Sequence, residues 1–115
     1  MYTIIILIAL LTSCGGGMEA VNTLISRQPI PGTALDVVIF DRDAGATTGF
    51  SKQISIIVHG QELLNDGGNV FICDKVDKVA IDVSDRKLVI RHSKSARIFK
   101  NIRTFNGVEV TYIIE

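Results

Sequence analysis

A chain of 115 residues has room for one domain with a modest core and no more. Its twelve Lys and Arg balance its twelve Asp and Glu, so bulk charge implies no polyanionic partner. Hydrophobic residues make up 47% and Trp is missing, yet part of that hydrophobicity sits at the very start of the chain and need not belong to a fold.

The chain opens MYTIIILIALLTSCGGG, with an unbroken apolar run from Ile4 to Leu11. A membrane-spanning helix needs about twenty such residues. The apolar core of a secretory signal needs roughly 7–15, which this run meets. It ends in Leu11-Thr12-Ser13-Cys14, which resembles the lipobox of bacterial lipoproteins. The resemblance implies a diacylglyceryl group on the Cys14 thiol and cleavage of the peptide before it. Two or more acyl chains hold a protein stably on a bilayer, where one holds it only marginally. Gly15, Gly16 and Gly17 then form a flexible tether. The segment departs from that pattern in having no Lys or Arg before the apolar run. The alternative is a buried strand in which Cys14 is a small hydrophobe. Gly at position 15, by the same resemblance, implies the outer membrane facing the periplasm in a Gram-negative host.

Met18 to Arg27 has weak helical spacing through Val21, Leu24 and Ile25 and reads as a linker or a single frayed helix. Pro29 and Pro31 stop any continuation. Beyond them the chain alternates. Leu35, Val37 and Ile39 lead, then Ile54, Ile56 and Val58, and a short apolar stretch over Val70 to Cys73. Val79, Ile81 and Val83 follow, then Leu88 and Ile90, and finally Val108, Val110, Tyr112 and Ile114. Alternation rich in β-branched residues predicts half-buried strands. Asn106-Gly107 between two apolar runs predicts a type I′ hairpin. Ser84 to Lys87 and Asn65 to Gly68 predict polar turns. The segment from Ala96 to Phe105 fits a strand feeding that hairpin, with a helix over Ser93 to Arg103 as the alternative. The expected fold is all-β: a small antiparallel sandwich or curled sheet of six to seven strands. The expected organisation is a signal peptide over residues 1–13, the lipidated Cys14 with a flexible linker over 14–32, and the β domain over 33–115.

Three readings compete for VVIFDRDAGATTGF, residues Val37 to Phe50. An apolar strand ending in Asp41-Arg42-Asp43 resembles the nucleophile strand of haloacid-dehalogenase-type phosphatases. That fold requires a parallel sheet with crossover helices, and no convincing helix follows Thr48. As a calcium loop begun at Asp41, the stretch puts Gly45, Ala46 and Lys52 where ligand, Gly and bidentate Glu belong. The third reading is a polar connector whose Asp, Gly and Thr residues suit a turn and which can bind a partner from a rigid sheet. Asp41, Arg42, Asp43, Thr47 and Thr48 are its candidate binding residues. Once Cys14 is lipidated, Cys73 has no thiol to pair with. Its apolar surroundings predict a buried structural Cys. His59 and His92 form no metal-ligand spacing with it, so neither metal nor cofactor is expected.

The stretches Arg42 to Ser51, Gly67 to Phe71, Ser95 to Lys100 and Asn106-Gly107 together resemble a family of small bacterial proteins of unknown function, often lipoproteins. The likeness runs from about Ala34 to Ile113. Relatives often carry Cys where this chain has Ala44, and Cys73 is a conceivable partner for such a Cys; no bridge of that kind can form here. The resemblance implies a fold and a compartment but no reaction.

From Arg86 to Arg103 there are seven basic residues and no acidic one. Arg91, Lys94, Arg97, Lys100 and Arg103 are the candidates for a basic face that meets head groups or an acidic protein, or that only keeps strand edges apart. Nucleic acid is not expected, since Phe99 is too little for a stacking platform. The expected function is a non-enzymatic envelope binding module held to the membrane through Cys14, with a possible envelope protein as its partner. The alternatives are a toxin-neutralising or enzyme-inhibiting lipoprotein and a small hydrolase using Asp41 and Asp43.

Overall fold

The computed structural model describes residues 20–43 and 50–115. Nine strands form in them and no helix: β1 Val21–Pro29, β2 Leu35–Asp43, β3 Phe50–Val58, β4 Phe71–Asp74, β5 Val79–Ser84, β6 Lys87–His92, β7 Arg97–Asn101, β8 Thr104–Phe105 and β9 Val108–Ile114. They make two sheets, ordered β1-β2-β3-β4-β7 and β5-β6-β9-β8. The expected all-β sandwich is what folds, with two corrections of detail.

The first concerns β1. A linker or frayed helix is expected over Met18 to Arg27; instead Val21–Pro29 pairs antiparallel with β2 along its whole length, from Val21↔Asp43 to Pro29↔Asp36. A bulge at Ile25 shifts the register between Leu24 and Ser26. It breaks the period of two and leaves Val21, Leu24 and Ile25 at a spacing that imitates a helix. The β domain therefore reaches back to Val21 rather than starting at position 33. Pro29 is tolerated because it ends an edge strand.

The second concerns strand direction and number. There are nine strands among the described residues, not six or seven, and β6 runs parallel to β9. A parallel pair needs a crossover. Here β7 supplies it by joining the other sheet beside β4, and the chain returns through β8. Ala96 to Phe105 is strand, as expected, in two pieces.

The turns follow the sequence. Asn106 and Gly107 take φ of 47° and 85°, the left-handed pair that a type I′ turn requires. They join Phe105 to its partner Val108. Asp85 and Arg86 link Ser84 to Lys87 in a two-residue hairpin.

The core lies between the sheets. Val37, Ile39, Ile54, Ile56 and Phe71 from the first meet Leu88, Ile90, Val108 and Val110 from the second, all buried. Phe71 is stacked on His92 and tilted against Tyr112, each with ring centroids 5.6 Å away. The opposite face of the first sheet is also covered. Val38 and Phe40 are fully buried there, together with Gln53 and Ser55. The connection from His59 to Asn69 crosses over them: the Gly68 amide donates to Gln53 Oε1 at 2.6 Å and the Asn69 amide to Ser55 Oγ at 3.0 Å. Asn22 on β1 secures its middle, donating to the Leu64 and Asp66 carbonyls. Burial on both faces is why Val37 to Phe40 form an unbroken apolar run inside β2.

Candidate functional site

The sandwich has two ends. At one, the turns at Pro31–Gly32, Asp85–Arg86 and Asn106–Gly107 converge, and the Arg86 amide donates to the Pro31 carbonyl at 2.9 Å. At the other lie the start of β1, the end of β2, the start of β3 and the connections that follow β4 and β6. Asp41, Phe50, Ser51, Lys52, Asp74, Lys75 and Val76 there surround a depression of about 240 Å³. The Asp77 amide donates to Ser93 Oγ at 2.9 Å and the Ser93 amide to the Lys78 carbonyl at 3.1 Å, which extends the β5–β6 pairing beyond its Val79↔His92 rung at this end. This Val21 end is the candidate site.

Of the residues expected in a binding loop, Asp41, Arg42 and Asp43 lie here; Thr47 and Thr48 fall outside the described residues, as does Cys14. Alternation puts Asp41 and Asp43 on one face of β2 and Arg42 on the other. The Asp41 carboxylate pairs with Lys52 Nζ at 2.8 Å. Arg42 donates to the Asn22 side chain at 2.8 Å. Asp43 shares its rung with Val21 and Phe50. Both neighbours of β2 are antiparallel, so the likeness of Val37 to Asp43 to a phosphatase nucleophile strand does not extend to the sheet around it. Among the described residues no group of three or more His, Cys, Asp or Glu is placed to hold a metal ion.

The five cations expected on one basic face do not share a face. Arg91 is on β6 in the second sheet, bonded to Asp82 at 2.7 Å and Glu115 at 3.3 Å. Arg97 is on β7 in the first sheet, forked onto both Asp74 oxygens at 3.0 and 2.7 Å and lying 5.2 Å above the Phe99 ring. Lys100 donates to the Gly68 carbonyl at 3.2 Å. Arg103 lines a separate open groove of about 510 Å³ with Thr104, Glu109 and Thr111. Lys94 follows β6 at the Val21 end. The cations recur every third residue, a spacing that alternates between the two faces of a strand, and β6 and β7 belong to different sheets, so adjacency in sequence does not become one surface. The fork from Arg97 holds the Asp74 carboxyl below its usual range and raises Arg97 in turn.

Cys73 is buried and free. Burial, helped by the Asp74 charge, pushes its thiol up to about 11, so it is a poor nucleophile at neutral pH. Burial likewise pushes the Tyr112 phenol to about 12; its hydroxyl donates to the Ile102 carbonyl at 2.6 Å where the chain passes from β7 to β8. His92 is buried and its Nδ1 donates to the Ser93 carbonyl at 3.0 Å.

One cluster went unseen in the sequence. Asp36, 2% exposed, accepts from Arg27 Nε at 2.7 Å and bonds His59 Nδ1 at 2.8 Å. Burial raises its carboxyl, but the bonds from His59 and Arg27 outweigh that and hold it below the usual range. Arg27 also donates to the Gln61 and Val58 carbonyls, so the cluster pins β1 and the crossing connection to β2. The available signal was the lone carboxylate beside VVIF, which demands a partner once the strand is buried.

Comparison with family models, with curated proteins and with solved structures returns no match for this chain.

Proposed function

We propose that the chain is a lipoprotein anchored to a bacterial membrane through Cys14, whose β domain is a non-enzymatic binding module of the cell envelope. One observation carries the reading: an eight-residue apolar run closes on Leu11-Thr12-Ser13-Cys14, three glycines follow, and a sheet-forming strand begins at Val21. The likeness of Arg42 to Ser51 and of the later stretches to small bacterial lipoproteins belongs to the same proposal. The side of the outer membrane facing the periplasm is the proposed location in a Gram-negative host. The stretch with Asp41, Arg42, Asp43, Thr47 and Thr48 is the proposed partner-binding element.

The alternative is a toxin-neutralising or enzyme-inhibiting lipoprotein whose basic strand pair blocks an acidic active site; Arg91 and Lys100 lie on strands of different sheets, which does not favour it. The test of the anchor is Cys14→Ser. The variant should leave the membrane fraction and lose incorporation of labelled fatty acid. Fatty-acid incorporation equal in the variant and the natural chain would sink the reading.

A further inference from the structure

We infer that the Val21 end of the sandwich docks directly onto an anionic phospholipid surface. Two independent features meet there. Among the described residues six large hydrophobics are more than half exposed, and five of them lie toward this end: Val21 at 55%, Phe50 at 68%, Leu64 at 59%, Phe99 at 60% and Ile114 at 64%. Val58, at 54%, alone lies at the other. Their placement follows from the register. Val21 and Phe50 flank Asp43 on the last rung of the first sheet. Leu64 is carried beside β1 by the bond from Asn22. Phe99 lies close to the Asp74–Arg97 rung, and Ile114 pairs with His92 at the matching end of the second sheet.

The second feature is charge. Lys52, Arg91 and Arg97 have carboxylate partners. Lys75, Lys78 and Lys94 form no salt bridge with another described residue, and all three lie in the connections at this end. Lys75 borders the depression that Phe50 also lines. Lys78 and Lys94 are brought together through Ser93, whose amide bonds the Lys78 carbonyl. Exposed apolar side chains beside cations outside any salt bridge, of which Lys75 also acts at longer range on Asp74, suit an interface of acyl chains under phosphate head groups.

The choice of a lipid surface over a protein rests on the anchoring proposed above. Cys14 is separated from Val21 by six residues, Gly15 to Ala20. Seven Cα steps span at most about 25 Å. A domain held that closely, by that end, has the bilayer within reach of Phe50 and the three lysines.

The chain has no Trp, so one introduced Trp is a clean reporter. In the full chain carrying Cys14→Ser, Phe50→Trp should shift its emission to shorter wavelength on phosphatidylglycerol vesicles and be quenched by brominated acyl chains. Val58→Trp, at the opposite end, should do neither. Each lysine near an anionic surface contributes roughly fivefold in partitioning, so Lys75→Gln, Lys78→Gln and Lys94→Gln together should lower Phe50→Trp partitioning by about a hundredfold. An unmoved Phe50→Trp, equal responses at both positions, or a shift that appears without vesicles as protein concentration rises would each overturn the inference, the last in favour of a second copy. Anchoring fails separately: it falls if the natural chain incorporates no more labelled fatty acid than Cys14→Ser, whatever the reporters show.

Discussion

Asp36 is a carboxylate set into the most buried strand of the molecule, and its partners decide how the fold responds to acid. Its folded pKa lies below the ordinary 3.8. The unfolded chain therefore takes up protons first as pH falls, and the stability from this group is present above about 4 and lost below it. Asp36→Asn should flatten that acid limb in urea titrations between pH 6 and pH 3. At pH 7 it should cost about 2 kcal/mol, the worth of charged hydrogen bonds at a buried site. His59→Ala should cost less than about 1 kcal/mol, because 71% of the His59 side chain is open to solvent. Cys73 makes a second residue-scale prediction. In Cys14→Ser, thiol reagent at pH 8 should find nothing in the native protein and one thiol after denaturation. Rapid native labelling would show that the β4 packing opens.

The strands and turns show which local signals survive folding. The hairpin at Asn106-Gly107 was legible because the left-handed pair of φ values belongs to the residues themselves. Gly107 has open space around it, so Gly107→Val should cost about 2 kcal/mol through backbone conformation alone. Gly68 is a different case that no local signal reveals. A Cβ there would lie 2.9 Å from the Ile54 and Phe71 carbonyls, so Gly68→Ala must push β3 and β4 apart. Thermal unfolding should place it well below Gly60→Ala, which meets nothing within 4 Å despite its φ of 84°. β1 is the reverse case: the bulge at Ile25 erases its alternation, and only the ladder with β2 makes it a strand.

At the scale of the whole molecule, the crossing connection makes the first sheet two-sided. Phe40→Ala removes a ring buried beneath it and should lower stability by about 3–5 kcal/mol, read as a drop in the urea midpoint without loss of the β signature in circular dichroism. The candidate site was half legible. Asp41 to Asp43 stood out in the sequence, whereas Lys75 and Lys78 carried no signal, because nothing local says that the connection after β4 packs beside Phe50. The basic stretch from Arg86 to Arg103 misled in the opposite sense, since a chain that changes sheets between β6 and β7 scatters a run of charges.

What the sequence determined by itself was whatever rests on neighbours along the chain: the apolar run closing on Cys14, the alternation of most strands, the Asn106-Gly107 turn and the burial of Cys73. What the tertiary structure decided was whatever rests on distant pairing. That includes the parallel β6–β9 pair, the carboxylate cluster at Asp36, the strand at Val21–Pro29 and the gathering of Phe50, Lys75, Lys78 and Lys94 at one end. Periodicity is set within a few residues, while register and sheet order are settled only by which surfaces exclude water together.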